Sequence, residues 1–195
     1  AGFTAGSAVV GLSKGKIGET NAQMLGLIIL AKLQAAVLRR AHEAEGTRNP
    51  FFLYVDEFQN FVTDTLVSML SESRKYGLGV HLTNQYFSQL PKNIQDAVLG
   101  NVGTLMTFTL GAEDAERFAK ECAPLEQEDF LHLSRFHFYI KLMIEGKTSD
   151  AFSGQSIPPQ PVQGQGSAAQ IKSLNQLAYG TPRVLVEEEI KENIQ

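Results

Sequence analysis

Hydrophobic and polar residues alternate along this chain in blocks that switch period several times. Residues 8–12 are an apolar run ending in Ser13-Lys14-Gly15-Lys16, which predicts a buried strand emerging into a turn. Met24, Leu25, Ile28, Ile29, Leu33, Ala36 and Val37 then recur at helical spacing, so a long helix capped by Thr20 or Asn21 is expected to run to Arg39-Arg40. A polar connector, 43–50, leads to the continuous apolar run 51–55, the pattern of a strand covered on both faces.

The same alternation continues beyond Asp56-Glu57. Leu66, Met69, Leu70 and Ser73 space out a helix that Gly77 can stop in the left-handed conformation. Strands are predicted at 79–83 and 103–110, and helices at 91–99 and 113–122. Strand-helix alternation predicts an α/β fold with right-handed crossovers and a mainly parallel sheet flanked by helices. Segments 136–144 and 149–153, joined through Glu145-Gly146-Lys147, read as a hairpin at the sheet edge.

The rest divides by composition. Residues 155–167 are a Pro/Gln/Gly-rich linker, and 168–195 a helical tail with helices at 168–179 and 184–194. Ala1-Gly2-Phe3-Thr4 resembles a cloning remnant, so 1–7 are set aside and the core is placed at 8–154.

Composition narrows the possibilities. The 195 residues are 43% hydrophobic and 19% charged, enough apolar material for one globular core. A net charge of −4 gives no general attraction to phosphate backbones, so any nucleic-acid contact has to be local. One cysteine, Cys122, excludes a disulfide framework and fits a reducing, cytoplasmic setting, where it reads as a small buried apolar residue. Apolar runs interrupted by Lys32 and Gln34 read as too short for the about 20 residues of a membrane span.

The chemistry concentrates at strand ends. An apolar strand ending Asp56-Glu57 matches the second nucleotide motif of P-loop ATPases, where the Asp helps hold hydrated magnesium and the Glu orients the attacking water. Ligands of open α/β sheets sit at the carboxyl ends of strands, where these acids fall. Gln85 ends the next strand, close enough at about 4.8 Å strand spacing to stand beside Asp56 and touch a γ-phosphate; alternatively Asn84 and Gln85 satisfy turn backbone.

Arg74 and Lys75 lie late in a helix, either as solvated cations suited to its dipole or with Arg74 reaching a neighbouring subunit's nucleotide. Lys14 and Lys16 read as a turn or as phosphate contacts, but no GxxxxGK[ST] occurs, so Lys14 is not the phosphate-cradling lysine. His42, His81, His132 and His137 form no zinc pattern, and His81 is expected to be a core histidine.

Six separated blocks carry a resemblance: 12–16 LSKGK, 53–59 LYVDEFQ, 70–78 LSESRKYGL, 84–86 NQY, 100–104 GNVGT and 111–115 GAEDA. Together they resemble the TraG/TraD-type coupling proteins of conjugation and type IV secretion, members of the RecA-like ATPases, and more distantly the HerA and FtsK translocases. The tail, with Tyr179-Gly180-Thr181-Pro182-Arg183, resembles the ending of these proteins. The resemblance implies ATP and Mg2+ as ligands, with Asp56 on the magnesium side, Glu57 orienting water, Gln85 as sensor and Arg74 as a finger in a neighbouring site.

It also implies a hexameric ring threading DNA, and relaxase or other type IV secretion components as partners. The family's P-loop and the membrane anchor of many members lie upstream of these blocks, so this segment is expected to hydrolyse little or no ATP by itself and to make no membrane contact. Two other uses stay open: a HerA/FtsK-like translocase for DNA processing or segregation, and a non-hydrolysing docking platform for a relaxase or secreted substrate.

Overall fold

The computed structural model describes residues 9–159 and 167–194, which fall into two units, Ala1–Ser156 and Ile157–Gln195. The first unit begins with the short helix α1 (Lys14–Ile17) and the long helix α2 (Glu19–Arg39). Then come β1 (Phe51–Val55), α3 (Asp64–Glu72), β2 (Leu78–Leu82), α4 (Lys92–Asn101), β3 (Leu105–Thr107), α5 (Ala112–Glu121) and α6 (Gln127–Leu131). It ends with β4 (His137–Lys141), β5 (Met143–Ile144), β6 (Lys147–Thr148) and β7 (Phe152–Gln155).

The fold is mixed α/β, but the expected mainly parallel sheet is not what the strands form. Among the described residues only β1 and β2 pair in parallel, from Phe51↔Leu78 to Val55↔Leu82. β3, β4 and β7 make a separate antiparallel sheet in that order, and β5 and β6 a two-residue-deep hairpin. The expected strand at 8–12 is absent among the described residues: Val9 is 97% exposed and α1 replaces the turn at Lys14. An apolar run becomes a strand only when a neighbouring ladder accepts its backbone groups.

β1 is covered on one face rather than two. Phe51, Leu53 and Val55 pack inward with Leu78, Val80 and Met69, whereas Phe52 and Tyr54 are exposed on the other face. His81, level with Tyr54, is on that open face stacked on the Tyr54 ring at 4.3 Å, so it is not the expected core histidine. Phe58, Leu66 and Phe130 are the largest fully buried side chains and join β1, α3, α5 and α6 in one core.

Helix ends follow local chemistry. α2 starts at Gly18, whose φ of 82° suits glycine, so the cap precedes the expected Thr20 or Asn21. At its far end Arg40, 5% exposed, donates to the carbonyls of Tyr76 at 2.9 Å and of Asn49, tying the helix to the entrance of β2. Gly77, at φ 71°, ends the turn after α3 as its sequence predicts. The expected hairpin forms, with Glu145 and Gly146 both at positive φ between β5 and β6. α6 has no counterpart in the sequence reading.

Segment Glu19–His42, with mean hydropathy 1.5, is long and apolar enough to cross a membrane by length and composition. This corrects the expectation that Lys32 and Gln34 interrupt it too often, because two polar residues dilute an apolar window without ending it. In this fold Ala22, Gly26, Leu30 and Val37 of α2 are buried, while Met24, Ile28 and Leu38 face outward.

In the second unit, α7 (Ala168–Tyr179) and α8 (Arg183–Ile194) form at the expected tail helices, with no residue buried in either. Residues 1–8 and most of the expected linker, 160–166, lie outside the described residues.

Candidate functional site

The parallel register places the carboxyl ends of β1 and β2 side by side, and the site is built there. Two backbone bonds extend the pairing by one step: Thr83 N–H donates to Val55 O and Phe58 N–H to Thr83 O, each at 3.0 Å. Asp56 and Thr83 are thereby neighbours, and the Thr83 hydroxyl donates to Asp56 Oδ1. The same oxygen accepts Glu57 N–H at 3.1 Å, whereas no hydrogen bond among the described residues reaches Oδ2.

Glu57 adopts φ 50° and ψ 47°, the left-handed region that costs a non-glycine residue about 1–2 kcal/mol. That conformation turns the chain into the short 3-10 turn Phe58–Phe61, anchored by Phe58 at 2% exposure. It also lets Asn60 fold back on Glu57 O, through its backbone N–H at 3.0 Å and its side-chain amide at 2.9 Å. Lys14 Nζ donates to Asn60 Oδ1 at 2.9 Å and to Glu19 at 2.7 Å, and this bond holds the Glu19 carboxyl below its usual range.

The Glu57 carboxylate accepts two side-chain amides. Gln85 Nε2 donates to Oε1 at 3.0 Å, and Gln59 Nε2 donates to Oε2. Gln85 therefore reaches Glu57 rather than Asp56, and its amide donor is not spent on turn backbone. Asn84 Nδ2 and Gln59 Oε1 are buried without a hydrogen-bond partner.

The loop carrying Gln85 is buttressed from α5. Asp114, 4% exposed, accepts Phe87 N–H at 3.0 Å and Ser88 N–H at 2.7 Å. Phe87 packs edge-on against Phe118 at 5.2 Å, with Arg117 5.9 Å over its ring. Arg117 also pairs with Asp96, which ties α5 to α4.

The structure thus brings Asp56, Glu57 and Gln85 together and leaves Arg74 apart. Arg74 is exposed in the turn before β2, at the opposite end from Gln85, with the five residues of β2, about 16 Å of extended strand at about 3.3 Å per residue, between them. The sequence reading missed Thr83, Gln59, Asn60 and Asp114. Thr83 was accessible from register, as the residue opposite Asp56; Asp114 from its place as an acid on the apolar Ala115-Phe118 face of a helix.

Among the described residues no group of three His, Cys, Asp or Glu side chains can hold a metal by themselves. Asp56, with an open Oδ2 at a strand end, instead fits the one-carboxylate binding of Mg2+, which takes its other ligands from water and phosphate oxygens. Cys122 is 3% exposed, and burial pushes its thiol pKa up, as expected of an unreactive packing residue.

Comparison with known proteins bears on the whole arrangement. Among curated proteins none matches the chain. The solved structure of the bacterial conjugative coupling protein TrwBdeltaN70, in its unbound monoclinic form, is 13% identical with a TM-score of 0.55, over 70% of this chain and 38% of that one. The plasmid coupling protein TrwB in complex with ADP and Mg2+ is 14% identical with a TM-score of 0.57, over 75% of this chain and 40% of that one. TrwB with a non-hydrolysable ATP analogue is 13% identical at TM-score 0.57, over 76% and 41%.

These likenesses show that the chain shares the fold of part of those structures, and it spans about two fifths of their length. Residues 50–125, which run from the start of β1 to just beyond α5 and include the acid pair, Arg74, Gln85 and Asp114, match the family model described as the TraM recognition site of TraD and TraG. Over that segment the chain is similar to the TraG/TraD-type coupling proteins.

Proposed function

We propose that this chain is the distal part of a nucleotide-driven motor that moves DNA, or DNA with bound protein, in conjugation or type IV secretion. The observation that carries the reading is the Asp56-Glu57 pair at the end of β1, with the Glu57 carboxylate accepting Gln85 from the adjacent parallel strand at 3.0 Å. Residues 8–154 are the motor core, 155–167 a linker and 168–195 a helical tail. ATP is the nucleotide, and Mg2+, when bound through Asp56, neutralises charge on the transferring phosphate.

In this reading Thr83 holds Asp56 with Oδ2 toward the metal's water shell. Glu57 orients a water, and Gln85 reports on the γ-phosphate by exchanging its carboxylate bond for a phosphate bond. Arg74 serves a neighbouring subunit's site in a hexameric ring, consistent with its distance from Gln85 within one chain. Phosphate-cradling groups come from outside the chain's motifs, so the isolated segment hydrolyses little or no ATP.

The family description favours a second activity on the same domain. TraD and TraG are described there by a TraM recognition site, and residues 50–125 fall in it, so docking of a relaxosome-type protein on this surface accompanies or replaces the motor role. DNA-stimulated ATP hydrolysis by the full-length protein, wild type beside Glu57→Gln, separates these. Turnover that DNA raises and the substitution removes supports the motor; partner binding with no turnover in either protein supports docking alone.

A further inference from the structure

Both oxygens of the Glu57 carboxylate are held by amides, and only one of these belongs to the expected sensor. Gln85 Nε2 donates to Oε1 from the loop after β2, and Gln59 Nε2 donates to Oε2 from the turn after β1. We propose that Gln59 is the positioning residue of this site, holding Glu57 in its water-orienting attitude when the Gln85 amide turns toward phosphate. The inference rests on the reading of Glu57 as the water-orienting carboxylate.

The two amides have different freedom. Gln85 is exposed beyond the end of its strand. Gln59 is half-buried on a turn pinned on both sides, by Phe58 in the core and by the Asn60 bonds to Glu57 O. Lys14 fixes Asn60 in turn, at 2.9 Å. The Gln59 side chain is therefore set relative to the backbone of the residue it holds.

Its polar commitments point the same way. Gln59 Oε1 is buried with no hydrogen-bond partner, so the donor end of the amide, on Glu57, is its polar contact among the described residues. Leaving a buried amide oxygen unsatisfied is costly, and such exceptions call for a functional explanation. The left-handed backbone of Glu57 brings its carboxylate back over the turn, which makes the contact between positions 57 and 59 possible.

Chemically, a donor on Oε2 fixes the carboxylate plane and leaves Oε1 to accept a water proton once Gln85 has moved. Positioning errors of about 1 Å cost on the order of 100-fold in rate, so a residue that acts only through Glu57 can still be felt in turnover.

The test uses the full-length protein and Gln59→Met, which keeps the side-chain length and removes the N–H. Expected is a kcat lower by about 10- to 100-fold with KM for ATP within about twofold of wild type, because Gln59 acts on Glu57 and not on nucleotide. In a Glu57→Gln background, adding Gln59→Met produces no further loss. If Gln59→Met fails to bind a fluorescent ATP analogue, Gln59→Asn, whose N–H is drawn back by one methylene, carries the same expectation. Unchanged kcat in a protein that Glu57→Gln inactivates overturns the inference and leaves the Glu57 reading standing, as do losses that add independently. Wild-type turnover in Glu57→Gln removes both.

Discussion

Asp114 holds the backbone N–H of Phe87 at 3.0 Å from a helix 27 residues further along the chain, and with it the loop that carries Gln85. The carboxylate is almost fully buried, so Asp114→Ala leaves two backbone donors without their acceptor. About 2–3 kcal/mol of stability should be lost, read as a lower midpoint in urea denaturation. Turnover of the full-length protein should also fall, because Gln85 loses its support.

Thr83→Val tests the contact across the two strand ends. Valine keeps the shape and removes the hydroxyl bonded to Asp56, so stability should change by about 1 kcal/mol or less while magnesium-dependent turnover of the full-length protein falls. A magnesium titration of the ATPase rate checks this: the half-saturating concentration should rise.

The distance of Arg74 from Gln85 predicts complementation between subunits. Arg74→Ala and Glu57→Gln proteins should each be inactive, yet their mixture should recover part of the wild-type rate, since some interfaces then combine an intact Glu57 with an intact Arg74. Equal inactivity in the mixture assigns Arg74 to its solvated helix-end role.

Gly77 sits at φ 71° between the turn after α3 and β2, and an added Cβ would meet Arg48 at 3.5 Å and Arg40 at 3.6 Å, ordinary van der Waals distances. Gly77→Ala therefore costs about 1–2 kcal/mol through backbone strain alone, measurable by urea denaturation, with little change in nucleotide-site chemistry.

Cys122 offers a probe of the core around α5. Burial raises its thiol pKa, so the reactive thiolate is scarce at pH 7 to 8 as well as shielded. A maleimide should label it only as the protein unfolds, and the labelling rate should follow the unfolding transition.

By itself the sequence determined the local elements: the long α2, the β1 run ending in Asp56-Glu57, the Gly77 stop, the hairpin at Glu145-Gly146 and both tail helices. These follow from hydrophobic period, turn chemistry and backbone freedom, which act over a few residues. It also carried the family through separated motif blocks, which the match over residues 50–125 supports. Tertiary structure alone decided what depended on distant partners. Among the described residues, 9–12 form no strand, β3 joined an antiparallel sheet, and His81 went to an open face because ladder pairing and coverage are made between segments. The same reason hid Thr83, Gln59 and Asp114: a hydrogen bond is set by register and by a left-handed turn, and neither is written in the identity of one residue.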